Sequence, residues 1–133
     1  MMFNELAWDK AHDKNINKIK QTALGRKMLS TLSRSKKLYT IKEPVISAGG
    51  LFSNNYSPKT NTIVLNSDAT LYINTESGRL QVQADNILFH ELGHAYLHEI
   101  GNSMYSDEMY VIKNFENIYG HYNRIDHGGG LFW

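Results

Sequence analysis

Two histidines four residues apart, with a glutamate directly after the first, give this chain a cluster whose residue types and spacing could do chemistry: His90-Glu91-Leu92-Gly93-His94. On a helix, positions i and i+4 share one face, with Cβ atoms about 5–6 Å apart. Two imidazoles so placed can reach one zinc ion with bonds of about 2.0–2.1 Å. Glu91 leans toward the same point without ligating. A base there could take a proton from a water whose pKa the metal has lowered to about 7. The flanks, Ile87, Leu88 and Phe89 before and Ala95, Tyr96 and Leu97 after, are apolar, so the helix is expected to be buried. Buried polar groups are costly without partners, and metal ligation would satisfy these. The competing reading is a pair of hydrogen-bonded core histidines.

A zinc site of this type needs a third ligand. The extended pattern with a further Gly and His is absent, because Leu97 and Ile100 occupy those places. His98 lies a full turn beyond His94 and reads as a supporting or solvent-exposed side chain. Glu108 and Glu116 are the candidates for a His₂Glu set, with Asp107 weaker. Hydrolysis also builds an oxyanion that a donor must stabilise. Tyr119, His121, Tyr122, Arg124 and His127 cluster near the C-terminus and could donate to it or hold substrate. Of these, Tyr119, Tyr122 and Arg124 are the primary candidates.

The elements that must position these groups follow from periodicity. Residues 4–32 carry apolar positions at helical spacing, with a break expected near Ala23 to Gly25. Residues 38–47 could hold a strand edged by Pro44, and 49–58 read as a loop. Thr62 to Asn66 is a short β-rich run. Leu71 to Thr75 and Leu80 to Ala84 alternate across Glu76-Ser77-Gly78-Arg79 and predict a hairpin. Asp85 is a candidate N-cap for the helix carrying the histidines, which should stop at Gly101-Asn102. Ser106 to Glu108 opens a second helix to about Tyr119, stopped by Gly120. The order is that of a compact α+β domain with N-terminal helices, a small mainly antiparallel sheet, and the His-Glu helix followed by another. One strand, Leu71 to Thr75 or Leu80 to Ala84, is expected to lie as an open edge beside the metal, where an extended substrate could pair.

Composition narrows the function classes. The chain has 133 residues, 41% apolar and 20% charged, with formal net charge +1 and no cysteine. A single domain over residues 1–133 is expected. Disulfides, thiolate nucleophiles and Cys-ligated metals are excluded. The near-neutral charge implies no polyelectrolyte partner. The lysines and arginines of the first third, such as Lys18, Lys20, Arg26 and Lys27, read as solvated helix faces rather than a nucleic-acid surface. No apolar run approaches membrane-spanning length, and Met1 to Lys10 lacks a signal-peptide pattern.

The blocks LFHELGHAYLHEIGN, SDEMYVIKNFEN and YNR, with GGLFSNNYSPKTNTIVLNSD and ALGRKMLSTL upstream, resemble the NleD-like effector zinc metallopeptidases of plant- and animal-associated bacteria. The resemblance implies a zincin-like fold, one zinc ion, His90 and His94 as ligands and Glu91 as base. It favours Glu108 as third ligand over Glu116, because Asp107-Glu108 matches the family's acidic pair. Asn117 falls in its Glu-Asn motif and Arg124 near its following arginine. Asp107 and the Asp126-His127-Gly128-Gly129-Gly130 tail depart from the family pattern and bear on the substrate. The implied role is a monomeric endopeptidase, exported without a cleavable signal peptide, that cuts a protein in a target cell's cytosol, such as a host MAP kinase. HELGHAYLH also resembles the regulatory metallopeptidases that cleave repressors, but their downstream Glu-x-x-Ala-Asn is missing. Rival classes are a non-catalytic zinc-stabilised binding module, which four protein ligands would support, and a DNA-associated regulator, which salt-dependent DNA binding would support.

Overall fold

The computed structural model describes residues 6–44 and 55–127. The chain opens with β1 (Ala7–Trp8), a 3-10 turn (Lys10–His12), α1 (Asp13–Ile19) and α2 (Ala23–Ser33). Then come β2 (Thr40–Lys42), β3 (Asn55–Ser57), β4 (Thr62–Val64), and the hairpin β5 (Thr70–Thr75) and β6 (Gly78–Gln83). α3 (Ala84–Glu99) follows directly. A final helical stretch contains α4 (Glu108–Val111), a π segment (Ile112–Glu116) and α5 (Asn117–Gly120). This is a mixed α+β fold, as the order of sequence patterns predicts.

β1, β2 and β4 pair in parallel, and β3 closes that sheet antiparallel on β4, in the order β1-β2-β4-β3. The hairpin is separate and antiparallel over six residue pairs. Its turn is the two residues Glu76-Ser77, made possible by Gly78 at φ 110°. Thr75 Oγ1 donates to the Gly78 carbonyl and accepts from Ser77 N–H, which pins the turn.

α3 is the centre of the molecule. It packs on α1, α2, β3, β6 and the final helical stretch. Every residue from Ile87 to Leu97 is buried, so this helix has no solvent stripe. It ends as its sequence predicts. Gly101 takes φ 75°, and the N–H groups of Gly101 and Asn102 donate to the carbonyls of His98 and Leu97, a Schellman closure.

Several expectations are corrected. The N-terminal helical region is split, and its break falls at Lys20 to Thr22, where the Thr22 side chain caps α2 by accepting from Gly25 N–H. Ala7–Trp8, read as helix, pairs with β2 because a strand edge waits there. Asp85 is not the cap of α3. Gln83 precedes the helix without a side-chain cap, and Asp85 sits in the first turn accepting from the Tyr119 hydroxyl at 2.6 Å. The last helix does open within Ser106 to Glu108, where Asp107 caps it by accepting from Tyr110 N–H. Asn55–Ser57, read as loop, is the edge strand β3. Among the described residues, the outer strand beside the histidines is therefore β3, and not either strand of the hairpin. The remainder of that expected loop, 49–54, and the end of the first predicted strand, 45–47, lie outside the described residues.

Gly93 sets how closely α3 meets the last helical stretch. A Cβ there would lie 3.1 Å from both Phe115 Cγ and Val111 Cγ1. Replacing a helical glycine would by itself gain about 1 kcal/mol of helix propensity. Gly93→Leu is nevertheless expected to destabilise the protein by about 1–3 kcal/mol through overpacking, read as a lower urea midpoint.

Candidate metal centre

His90 and His94 project from one face of α3 toward a single point. Their Nε2 atoms are 3.1 Å apart, and Glu108 Oε1 lies 3.4 Å from His90 Nε2 and in contact with His94 Nε2. Tetrahedral ligands on bonds of about 2.0–2.1 Å would be separated by roughly 3.3 Å, so the spacing fits one small cation. Glu91 Oε2 is 4.0 Å from His90 Nε2, at the cluster's margin.

The outer nitrogens determine which way the inner ones face. His90 Nδ1 is 2.6 Å from Glu116 Oε1, and His94 Nδ1 is 2.6 Å from the Tyr105 carbonyl oxygen. A carbonyl, or a carboxylate held ionised, only accepts, so each Nδ1 must carry its proton. The Nε2 lone pairs of both rings then converge on the same point. Two lone pairs and a carboxylate oxygen within hydrogen-bond distance repel unless a proton or a cation sits among them.

Glu108 and Glu116 bracket His90 from opposite sides. They are eight residues apart, which on a regular α-helix would rotate them about 80° from one another. An α-turn takes 3.6 residues and a π-turn about one more, so one of each spans roughly eight residues and returns both glutamates to one face. The π segment Ile112–Glu116 supplies that wide turn.

Behind His90, Glu116 is wholly buried. Arg124 Nη1 donates to its Oε1 at 2.8 Å and the Tyr122 hydroxyl donates to its Oε2. Burial pushes the Glu116 carboxyl up, but His90, Arg124 and Tyr122 outweigh it and hold the group below its ordinary range. Glu108 is likewise held low, by His127, His90 and His94 against its burial. His90 is pushed up to about 9, because Glu108 and Glu116 overcome the burial that would discharge it. Burial raises the Glu91 carboxyl, which makes it a stronger base than an exposed glutamate.

A cleft of about 200 Å³ opens over the cluster, lined by Asn55 and Tyr56 of β3, Pro58, Tyr105, Glu91 and Glu108. Of the site residues expected from sequence, His90, Glu91, His94 and Glu108 meet here. Glu116 reaches the outer nitrogen of His90 and is placed behind the cluster. Arg124 is buried with Glu116, Tyr122 is bonded to the same carboxylate, and Tyr119 stacks on Phe89 and bonds Asp85. Arg124 is buried and the two tyrosines are half-buried, and none of the three lines the cleft over the histidines. His98 bonds the Tyr56 hydroxyl at 2.8 Å, away from the ligand point. Asn117 accepts from Arg124 N–H, and exposed His121 ends the helix in the left-handed region at φ 56°. His127 does reach the cluster, 2.7 Å from Glu108 Oε2.

Sequence reasoning did not single out β3 or the Tyr105 carbonyl. Asn55-Tyr56-Ser57 has no β-branched residue, and a backbone oxygen leaves no signature in the residue type.

A helix-borne pair of imidazoles and two carboxylates thus lie at the floor of a cleft beside β3. The chain matches the Peptidase_M91 family, described as effector protein, over residues 6–111, and it belongs to that family. No curated protein and no solved structure matches it.

Two outcomes follow from the electrostatics. Arg124→Met leaves the buried Glu116 carboxylate without its cation and should cost about 3–5 kcal/mol in urea unfolding. Because His90 holds its proton up to about 9, a divalent cation must displace that proton. His94 is raised as well, so the cation's apparent affinity should weaken as pH falls below about 9, measured by chelator competition.

Proposed function

We propose that this effector-family peptidase is a zinc-dependent endopeptidase, with His90, His94 and Glu108 holding one zinc ion and Glu91 serving as general base. The observation that carries this reading is the convergence of two Nε2 lone pairs at 3.1 Å while both Nδ1 atoms are committed to acceptors. A two-nitrogen, one-carboxylate set that leaves a position open toward a cleft is the donor set of a hydrolytic zinc site. When bound, zinc would polarise the scissile carbonyl and acidify the attacking water.

The chain's own groups would do the rest. Glu91 accepts the proton as the water oxygen bonds to the carbonyl carbon, then delivers it to the amide nitrogen as the C–N bond breaks. Products are a carboxylate and an amine. β3, the outer strand of its sheet among the described residues, would lie alongside an extended polypeptide in the cleft, with Tyr56 and Tyr105 as walls. As an effector peptidase the chain has a protein substrate. The family likeness suggests a host signalling protein such as a MAP kinase, cut in the cytosol of a target cell by a monomeric enzyme.

Metal content and hydrolysis of a generic protein substrate test the assignment together. Wild type should hold one zinc. Glu91→Ala should keep the zinc and lose about 10²–10⁴-fold in activity. Glu108→Ala should lose the metal, while Glu116→Gln should keep it with an affinity about 10–100-fold weaker. Zinc lost from Glu91→Ala, or none in wild type after incubation with the metal, would overturn these roles.

A further inference from the structure

The three side chains that meet at the cluster are each gripped from behind, and the third grip comes from an unexpected place. His90 is held by Glu116, and His94 by the Tyr105 carbonyl. Glu108 stands at the first turn of a four-residue helix after an irregular stretch, with its side chain 40% exposed. Nothing on its own helix fixes which oxygen faces inward.

The segment Asn123 to His127 brings an ion-pair partner to the outer oxygen of Glu108. The Asn123 carbonyl accepts from Glu76 N–H, Ile125 N–H donates to the Asn74 carbonyl, and Arg124 bridges antiparallel to Thr75, so this segment extends the hairpin along β5. Arg124 anchors it by burying its side chain against Glu116. Its Nε also donates to the Asp126 carbonyl at 2.8 Å, which turns the chain back toward the cluster. His127 is thereby set with its ring 5.6 Å from that of His90 and Nε2 2.7 Å from Glu108 Oε2. The two Glu108 oxygens are thus divided: Oε1 faces His90 and His94, and Oε2 faces His127. This strap lies wholly beyond residues 6–111, the part of the chain that matches the family.

We propose that His127 is a positioning residue that holds the outer oxygen of Glu108, so that the C-terminal strap completes the metal centre. The inference rests on the zinc reading of the site. It makes His127 act through Glu108, not on the metal or the substrate. A ligand left to rotate must be ordered when the metal binds, and partners of this kind are worth about 10–100-fold in metal affinity.

The test is the zinc dissociation constant of the full chain, by competition with a chromophoric chelator, for wild type, His127→Ala and His127→Gln. His127→Ala should bind zinc about 10–100-fold more weakly, with the urea midpoint of the metal-free protein unchanged. His127→Gln keeps an N–H donor at a similar reach and should restore most of the affinity. Wild-type affinity in His127→Ala would overturn the proposal while leaving the zinc site standing. So would a loss in His127→Gln as large as in His127→Ala, or three histidines on the zinc by X-ray absorption of the wild type, which would make His127 a ligand. Absence of zinc from the wild type would instead remove the site reading beneath it.

Discussion

The structure of the site depends on a buried carboxylate. Glu116 has no solvent exposure, and an ion so placed costs several kcal/mol unless its oxygens are fully engaged. Three donors engage them: His90 Nδ1, Arg124 Nη1 and the Tyr122 hydroxyl. This arrangement orients one imidazole, fixes its tautomer and draws the C-terminal segment against the core. The same contacts explain why Arg124, a residue type usually found in water, is among the largest fully buried side chains.

That constraint propagates through helix geometry. Glu116 must reach the far side of His90 while Glu108 reaches the near side, and a regular helix would not present both. The π segment resolves the conflict by adding width to one turn. Phe115 and Val111 fit against Gly93, where α3 has no side chain to keep them off. A glycine between the two histidines thus belongs to the helix–helix contact as much as to the site.

The cleft inherits its shape from two unrelated parts of the chain. β3 contributes Asn55 and Tyr56 as the outer strand of the mixed sheet, and the stretch after α3 contributes Tyr105 and Glu108. Tyr56 is tied to His98 on α3 and stacks near Tyr39, so β3 is braced against the helix that carries His90 and His94.

The local parts of this protein can be read from its residues alone. His90, Glu91 and His94 are legible because helical spacing converts four residues into one face, and an apolar surround requires that face to be buried. The hairpin is legible from alternation, and the end of α3 from Gly101, whose positive φ other residues rarely adopt. The α+β order follows from these periods. Relations between segments far apart in the chain are settled only by folding in three dimensions. Which glutamate meets the inner nitrogens and which the outer one depends on a π-turn that no residue type announces. Which strand edges the cleft depends on β4 accepting Asn55–Ser57, a run with weak intrinsic preference. Tyr122 and Arg124 look like surface donors in sequence, and burial makes them supports for Glu116, because a desolvated carboxylate must be answered by whatever cation and hydroxyl the fold can bring to it.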